Sequence, residues 1–247
     1  LRLRSPPGRV LWSGHNGMGG GSSGPGGGAY FWYSDDAGAT YHLSAPISGM
    51  RYYSESQLAE LPGGTVVAVL RNNRSSTLPQ PPCKAMSCST DHGATFGEPF
   101  FDRNLLSSNC QSGVVSTAQH LAVSTPVGPV HQPCNMTVYI TDATAAVETC
   151  RSAGAVRNKW HALASLWAGP AAYSSLGHDP AAQRLVVAYE RGHVTTCAKG
   201  AITSFISFAA VSLPASRTHR AKTDDRAASA VGAVVSVQPS QAAELAA

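Results

Sequence analysis

Two stretches share one pattern: Ser34-Asp35-Asp36-Ala37-Gly38-Ala39-Thr40-Tyr41 and Ser89-Thr90-Asp91-His92-Gly93-Ala94-Thr95-Phe96. Both read S-x-D-x-G-x-T-aromatic. The Asp carboxylate is expected to accept backbone N–H groups inside a tight turn, and the Gly is expected to take a positive φ. The aromatic residue then packs under the turn at the start of the next strand. Each copy therefore predicts a β-hairpin turn.

Short runs of β-branched and aromatic residues recur around these turns, bounded by Gly, Pro, Ser, Asn and Asp. Helical periodicity is hard to find, so the pattern favours many short strands. The predicted strands are 9–12, 30–34, 58–61, 65–71, 84–89, 113–116, 120–123, 137–141, 174–176, 185–190 and 202–213. The sequence predicts an all-β fold.

The amino-acid composition limits the classes of partner that the protein can have. Only 13% of the 247 residues are charged, about half the usual share, while 43% are hydrophobic, which is enough for a core. The net charge of +4 is spread along the chain, without the Lys/Arg stripe typical of nucleic-acid binding. The longest nearly apolar stretch, 201–213, is too short for a membrane span. A small partner is therefore favoured over nucleic acid, and no transmembrane segment is expected.

Two segments fall outside the predicted fold. The stretch 17–28 is almost all Gly and Ser and is predicted to be a flexible loop. From residue 214 to 247 the chain has no aromatic residue and is predicted to be an unstructured or marginally helical tail. Residues 1–213 remain for one domain.

The cysteines do not indicate a disulfide scaffold or a zinc site, so buried thiols are expected and neither metal nor cofactor is. They are Cys83, Cys88, Cys110, Cys134, Cys150 and Cys197. Two sequons, at Asn73 and Asn135, fit a secretory or lysosomal route. A secreted, lysosomal or membrane-associated location is slightly favoured over the cytoplasm, and the compartment stays open.

The repeated pattern resembles the Asp box of sialidases (neuraminidases) and other β-propellers, which implies a fold and not a function. Glu55 lies in Tyr53-Ser54-Glu55-Ser56-Gln57-Leu58-Ala59-Glu60-Leu61-Pro62-Gly63-Gly64-Thr65, and Arg71 ends the next strand. This resembles the sialidase segment in which a Glu precedes an "ELpdG" hairpin and an Arg closes the returning strand. Taken alone, Glu55 and Arg71 would equally fit a solvated surface pair.

A second segment strengthens the resemblance. It reads Gly169-Pro170-Ala171-Ala172-Tyr173-Ser174-Ser175-Leu176, followed by Gln183-Arg184-Leu185-Val186-Val187-Ala188-Tyr189-Glu190. It resembles the sialidase pattern "G-x-x-Y-S-x-L … Y-E", whose first Tyr is the catalytic nucleophile. Between the two segments, Asn109-Cys110-Gln111-Ser112-Gly113-Val114-Val115 is similar to the family's "GCQgSv" strand.

The resemblance implies an exo-α-sialidase acting on sialylated glycans, glycoproteins or gangliosides. Sialic acid carries a carboxylate on its anomeric carbon, so a neutral Tyr avoids the repulsion that a carboxylate nucleophile would meet. Tyr173 is assigned as nucleophile and Glu55 as its base. Arg71 and Arg151 are assigned to clamp the sugar carboxylate, because a guanidinium binds it bidentately. Arg157 is the rival of Arg151.

Part of the family pattern has no match here. The family's first Arg and its Asp acid/base lie upstream of anything matched, and neither Arg2 nor Arg4 is a convincing substitute. At roughly 40 to 45 residues per blade, residues 1–213 make four to five blades of a six-bladed β-propeller. We therefore expect an N-terminally incomplete propeller that is inactive on sialosides by itself; Asp35, Asp36 and Asp142 are the next candidates should it be active.

Other functions stay open. A trans-sialidase-like transferase would use the same residues, and a non-catalytic Asp-box propeller would bind a glycan or a protein. A binding propeller has no reason to keep Tyr173, Glu55 and the arginines together, so their geometry distinguishes these hypotheses. A structural repeat protein of unrelated function is the weakest reading.

Overall fold

The computed structural model describes residues 1–16, 28–47, 52–72, 82–129, 132–197 and 203–214. The Gly-rich stretch 17–27, the sequon at Asn73 and residues 215–247 lie outside these ranges, so the predictions for them are not tested.

The described residues form antiparallel strands in three sheets. The first sheet contains β1 (Val10–Asn16), β2 (Gly28–Ser34) and β3 (His42–Leu43). The second contains β4 (Tyr53–Glu60), β5 (Val66–Asn72), β6 (Cys83–Ser89) and β7 (Phe100–Leu106). The third contains β8 (Gly113–Ser116), β9 (His120–Pro126), β10 (Cys134–Asp142), β11 (His161–Asp179), β12 (Arg184–Arg191) and β13 (Phe205–Ser212).

The long strand β11 divides the third sheet into two meanders. Its first half pairs with β10 from His161 to Pro170, and its second half pairs with β12 from Ala171 to Asp179. Each meander runs up and down between sequence neighbours, as a propeller blade does. The described chain thus has four such meanders, and the expected all-β, partial β-propeller fold is confirmed.

Apolar faces pack between neighbouring meanders. One cluster joins the second sheet to β8–β10, through Val69, Met86, Leu105, Leu121 and Val123 among others. Another joins the first sheet to the second, with Leu11, Phe31, Leu58, Leu70 and Phe96. These side chains are almost fully removed from water, and burying each contributes about 1.5 to 3 kcal/mol. The packing fixes how one sheet sits against the next.

Both predicted hairpin turns are present. Asp36 Oδ1 accepts the Thr40 N–H at 2.8 Å, and Asp91 Oδ1 accepts the Thr95 N–H at 2.9 Å. Gly93 has φ +87°, and a Cβ there would lie 2.3 Å from a methyl carbon of Leu11, so only glycine fits. The local chemistry of the repeated pattern therefore forms the turns as expected.

The aromatic residues of the two turns differ from expectation. Phe96 is buried against Phe31, with ring centroids 4.3 Å apart. Tyr41 is 61% exposed and contacts Trp12 at 5.3 Å instead. A Cβ built at Gly38 would lie 3.1 Å from the Tyr41 hydroxyl, so Tyr41 does lie beside its own turn, but unlike Phe96 it is not buried there.

Two further expectations need correction. A helix, α1 (Ala143–Arg151), follows β10, and Asp142 caps it by accepting the Ala145 N–H. Four cysteines are not thiols: Cys88 is bonded to Cys150, and Cys134 to Cys197. Partners 62 and 63 residues apart are brought together only by the packed sheets, which spacing does not reveal. Within the described ranges, no helix is long and apolar enough to cross a membrane.

Candidate functional site

One end of the second sheet brings Glu55 and Arg71 together. β4 and β5 are antiparallel, and their register shifts between Tyr53 and Ser56, so Glu55 lies in an irregularity of the strand. Such bulges re-aim a side chain and are common beside active sites. Glu55 Oε2 accepts a hydrogen bond from Arg71 Nη1 at 2.5 Å. Both side chains are about a quarter or less exposed, at 20% and 26%.

Tyr173 reaches this pair from the third sheet. The register between β11 and β12 shifts between Ala171 and Ser174, so Tyr173 also lies at an irregularity. Its hydroxyl donates to Glu55 Oε1 and accepts from Arg71 Nη1 at 3.3 Å. The structure thus brings together three of the residues that the sequence singled out, across 118 and 102 positions of chain.

The segment between β7 and β8 connects the two sheets behind these side chains. Asn109 Oδ1 accepts from Arg71 Nε at 3.4 Å, and Gln111 Oε1 accepts the Ser174 N–H at 2.9 Å. The Ser174 hydroxyl in turn accepts the Gly113 N–H at 3.2 Å. The segment therefore contacts both the arginine and the strand that carries Tyr173.

The environment keeps the phenol protonated. Burial, together with the hydrogen bond to Glu55 and its negative charge, raises the pKa of Tyr173 to about 12. Burial opposes the charge of Arg71, yet the hydrogen bond and the charge of Glu55 outweigh it and raise its pKa. A neutral phenol bonded to a carboxylate can pass its proton to that carboxylate when its oxygen attacks an electrophile.

An open hollow of about 470 Å³ lies beside Glu55 and Tyr173, and Arg71 is not among the residues that line it. Glu55 and Tyr173 line it, with His15 and Gln57 from the first and second sheets and Glu190 from β12. Tyr173 is 41% exposed, so a molecule in the hollow can reach the phenol. The size suits a ligand of a few hundred Å³.

Several candidates lie elsewhere. Arg151, at the end of α1, pairs with Glu148 at 2.7 Å and does not line the hollow. Arg157 donates to the Phe101 carbonyl at 3.1 Å. The structure therefore does not bring either proposed second clamp residue to Tyr173, and Arg151 instead ends the unforeseen helix with its side chain 64% exposed. Arg4 is bound to Glu60, which agrees with leaving it unassigned.

The aspartates of the described ranges all have structural partners. Asp35 binds Arg9, Asp36 and Asp91 hold the two turns, and Asp142 caps α1. The other two are Asp102, which accepts from Asn158 and Trp160, and Asp179, which binds Arg184. None of the six lines the hollow. The described residues thus offer no aspartate acid at this site.

Sequence reasoning gave no role to four residues that surround the site. Asn109, Gln111 and Glu190 stand in the quoted motifs, and Glu190 Oε2 accepts the Tyr173 N–H at 3.3 Å. Lys84, on β6, is buried behind Arg71 and donates to the Cys110 carbonyl oxygen. The motifs flag the first three by position, whereas nothing in the local sequence marks Lys84.

No protein-family model matches the chain, and no curated protein is significantly similar to it. Solved structures do match. The intramolecular trans-sialidase from Ruminococcus gnavus, in complex with oseltamivir carboxylate, is 18% identical over 75% of this chain and 38% of that one, with a TM-score of 0.53. The leech intramolecular trans-sialidase is 18% identical over 83% and 29%, with a TM-score of 0.55. The NanB sialidase from Streptococcus pneumoniae is 16% identical over 86% and 30%, with a TM-score of 0.58.

These similarities show the fold. The described chain has a sialidase-like, partial β-propeller architecture, and it spans between 29% and 38% of the length of these three structures. Sequence identities this low do not show that the chain catalyses the same reaction. Any inference about activity therefore depends on the geometry of Tyr173, Glu55 and Arg71.

Proposed function

We propose that this protein is a retaining exo-α-sialidase in which Tyr173 is the nucleophile and Glu55 its general base. The observation that carries the proposal is the contact of the Tyr173 phenol with Glu55 and Arg71 at the edge of an open hollow. Sialylated glycans, including glycoproteins and gangliosides, are the proposed substrates. The names of the three similar structures are consistent with this substrate class.

In the first step the Tyr173 oxygen forms a bond to the anomeric carbon while the bond to the leaving oxygen breaks. Glu55 Oε1 takes the phenol proton, which it already holds in a hydrogen bond. In the second step water replaces the Tyr173 oxygen on the anomeric carbon, and Glu55 returns to the phenolate the proton that it took. The attacking water loses one proton to solvent, which balances the proton that the leaving oxygen takes from solvent in the first step. The two displacements retain the anomeric configuration.

Arg71 has two roles in this proposal. Its guanidinium lies 3.3 Å from the Tyr173 oxygen, where it stabilises the charge that develops as the phenol loses its proton. It is also the proposed partner of the sugar carboxylate, because a planar guanidinium suits that group better than an ammonium. Arg151 and Arg157 are not proposed for this role, since Arg151 pairs with Glu148 and Arg157 donates to the Phe101 carbonyl. Arg71, by contrast, contacts both Glu55 and Tyr173.

Protonation of the leaving group is not assigned to any aspartate of the described chain. All six aspartates already stabilise a turn, cap a helix, or bind an arginine or other hydrogen-bond donors. General acid catalysis contributes about 10²- to 10⁴-fold where the leaving group is poor. We therefore propose that this chain by itself turns over natural sialosides slowly, whereas substrates with good leaving groups bypass the missing acid.

The two disulfides support an oxidising compartment as the place where the protein works, since such bonds persist in secreted and lumenal proteins. A secreted or lysosomal location is therefore proposed over the cytoplasm. Mobility on a non-reducing gel, before and after reduction, checks that both bonds form in the native protein.

Covalent trapping tests the proposal in the 247-residue chain. A sialosyl fluoride with a second fluorine at C3 needs no acid for departure of fluoride, and the C3 fluorine slows release of the adduct. We expect mass spectrometry to find the sugar on Tyr173. Y173F should give no adduct, while Y41F, which alters an exposed tyrosine outside the hollow, should react like the wild type.

A folded wild-type chain that forms no adduct would overturn the catalytic proposal. Oseltamivir carboxylate, the ligand in the Ruminococcus gnavus structure, should slow trapping by competition. Binding of a sialoside without any adduct would favour the non-catalytic propeller instead. Transfer of the trapped sugar to an added galactoside, rather than to water, would favour the transferase.

A further inference from the structure

Lys84 is a buried cation without a carboxylate partner. Its residue is 2% exposed, and among the described residues no carboxylate oxygen lies within 4 Å of its ammonium. Asp102, its register partner on β7, is already taken by Asn158 and Trp160. Burying an ammonium in this way is unfavourable, so the residue is poorly explained as a stabilising one.

The contact of Lys84 lies directly behind the candidate site. Its ammonium donates to the carbonyl oxygen of Cys110, between Asn109 and Gln111. Asn109 holds Arg71 Nε, and Gln111 holds the N–H of Ser174, next to Tyr173. Lys84 therefore anchors the middle of a segment whose two sides contact the arginine and the tyrosine strand.

We propose that Lys84 is a positioning residue that holds the 109–111 segment in place, and through it sets Arg71 against Tyr173. The Glu55–Arg71 pair belongs to the second sheet and Tyr173 to the third, so their alignment depends on this connection. A misplacement of about 1 Å at a reacting group can reduce the rate about 10²-fold. The inference rests on the proposed function for its effect on rate, but not for its effect on geometry.

The electrostatics agree with this role. Burial, together with the positive charge of Arg71, lowers the pKa of Lys84 to about 8, against the opposing effects of Cys110 and Glu55. A buried lysine in such surroundings lowers the stability of the protein. Residues that lower stability in this way are common at functional sites.

The test compares K84M with M86L in the full chain. Met86 points to the same face of β6 two residues along and is buried in the core, so M86L controls for repacking of this strand. In K84M we expect the trapping rate to fall about 10- to 100-fold, with an unfolding midpoint equal to or above that of the wild type. M86L should keep the wild-type trapping rate.

A second measurement reads geometry without turnover. The ¹⁵N-edited Nε–H signal of Arg71 should shift in K84M and stay in place in M86L, since only the first releases the segment that holds Asn109. An unchanged Arg71 signal in folded K84M would overturn the positioning role, as would a loss of trapping that merely follows loss of folded protein. If the wild type forms no adduct, the proposed function fails while the Arg71 signal still decides the role of Lys84.

Discussion

At one end of the second sheet Glu55 pairs with Arg71, and at the other end of the same strand Glu60 pairs with Arg4. Glu60, with a side chain 4% exposed, accepts from Arg4 N, Arg4 Nε and Ser5 N. Its oxygens face fixed donors that have no proton to exchange at neutral pH. Glu55 instead holds a phenol beside an open hollow. The same pair of residue types is structural at one end and suited to chemistry at the other.

The turns reinforce this contrast. The hairpin turn held by Asp91 lies at the Glu60 end, and its hydrogen bonds join residues two to four positions apart. At the Glu55 end the contacts span 16, 38, 102 and 118 positions. Local bonds make a rigid turn wherever the pattern occurs, whereas a site assembled over such distances depends on how the sheets pack.

Replacing Glu55 or Glu60 by glutamine should give the largest difference between the two ends of the second sheet. E55Q removes the base, so we expect trapping at Tyr173 to slow by about 10² to 10⁴, or about 3 to 5 kcal/mol of barrier, with little change in stability. E60Q removes charge-assisted hydrogen bonds and should cost about 2 kcal/mol of unfolding free energy, with the trapping rate kept within about twofold. Urea unfolding and the trapping assay measure both. A large loss of trapping in stable E60Q would break the comparison.

The pH dependence of stability should differ at the buried lysine. Burial lowers the pKa of Lys84 from 10.5 to about 8. Below pH 8 both states hold the proton, so the penalty of burying the charge is complete. Between pH 8 and 10.5 the unfolded chain binds one proton more, so folding becomes more favourable by about 1.4 kcal/mol per pH unit. The unfolding free energy of the wild type should rise relative to K84M by about 3 kcal/mol over this range.

The charge of Lys84 lowers the pKa of Cys110, so the titration of Cys110 would not cancel between the wild type and K84M. The comparison is therefore made with Cys110 replaced by alanine in both chains, as C110A against K84M/C110A. Denaturant unfolding at several pH values provides the measurement. A difference in unfolding free energy that stays constant from pH 8 to 10.5 would mean that Lys84 titrates normally. The Glu55 end of the sheet would then hold no charge that is unfavourable to bury.

The two hairpin turns held by Asp36 and Asp91 should differ least. D91A removes bonds in a turn where Gly93 packs on Leu11 and Phe96 is buried, so we expect a loss of about 1 to 2 kcal/mol. D36A alters a turn with an exposed aromatic residue, Tyr41, and should lower the unfolding midpoint by less. Thermal unfolding followed by circular dichroism compares them. Equal losses would show that burial of the aromatic residue adds nothing to the turn.

Sequence patterns alone determined much of this protein. The alternation of short apolar runs and turn residues predicted most strands, and the repeated pattern predicted two hairpin turns, because both depend on contacts within a few residues. The sequence patterns missed the two-residue strand β3, the strand β7, the first half of β11 and the helix α1, whose Ala-rich sequence follows the cap Asp142. The residues Tyr173, Glu55 and Arg71 were found through their motifs.

Only the tertiary structure decided which residues meet. The packing of the sheets brings Tyr173 of the third sheet into contact with Glu55 of the second. Arg151 lies at the end of a helix, paired with Glu148 instead. The tertiary structure also paired Cys88 with Cys150 and buried Lys84 behind Arg71. These contacts join positions far apart in the chain, and their geometry follows from the packing of apolar faces between sheets, to which no local run of residues corresponds.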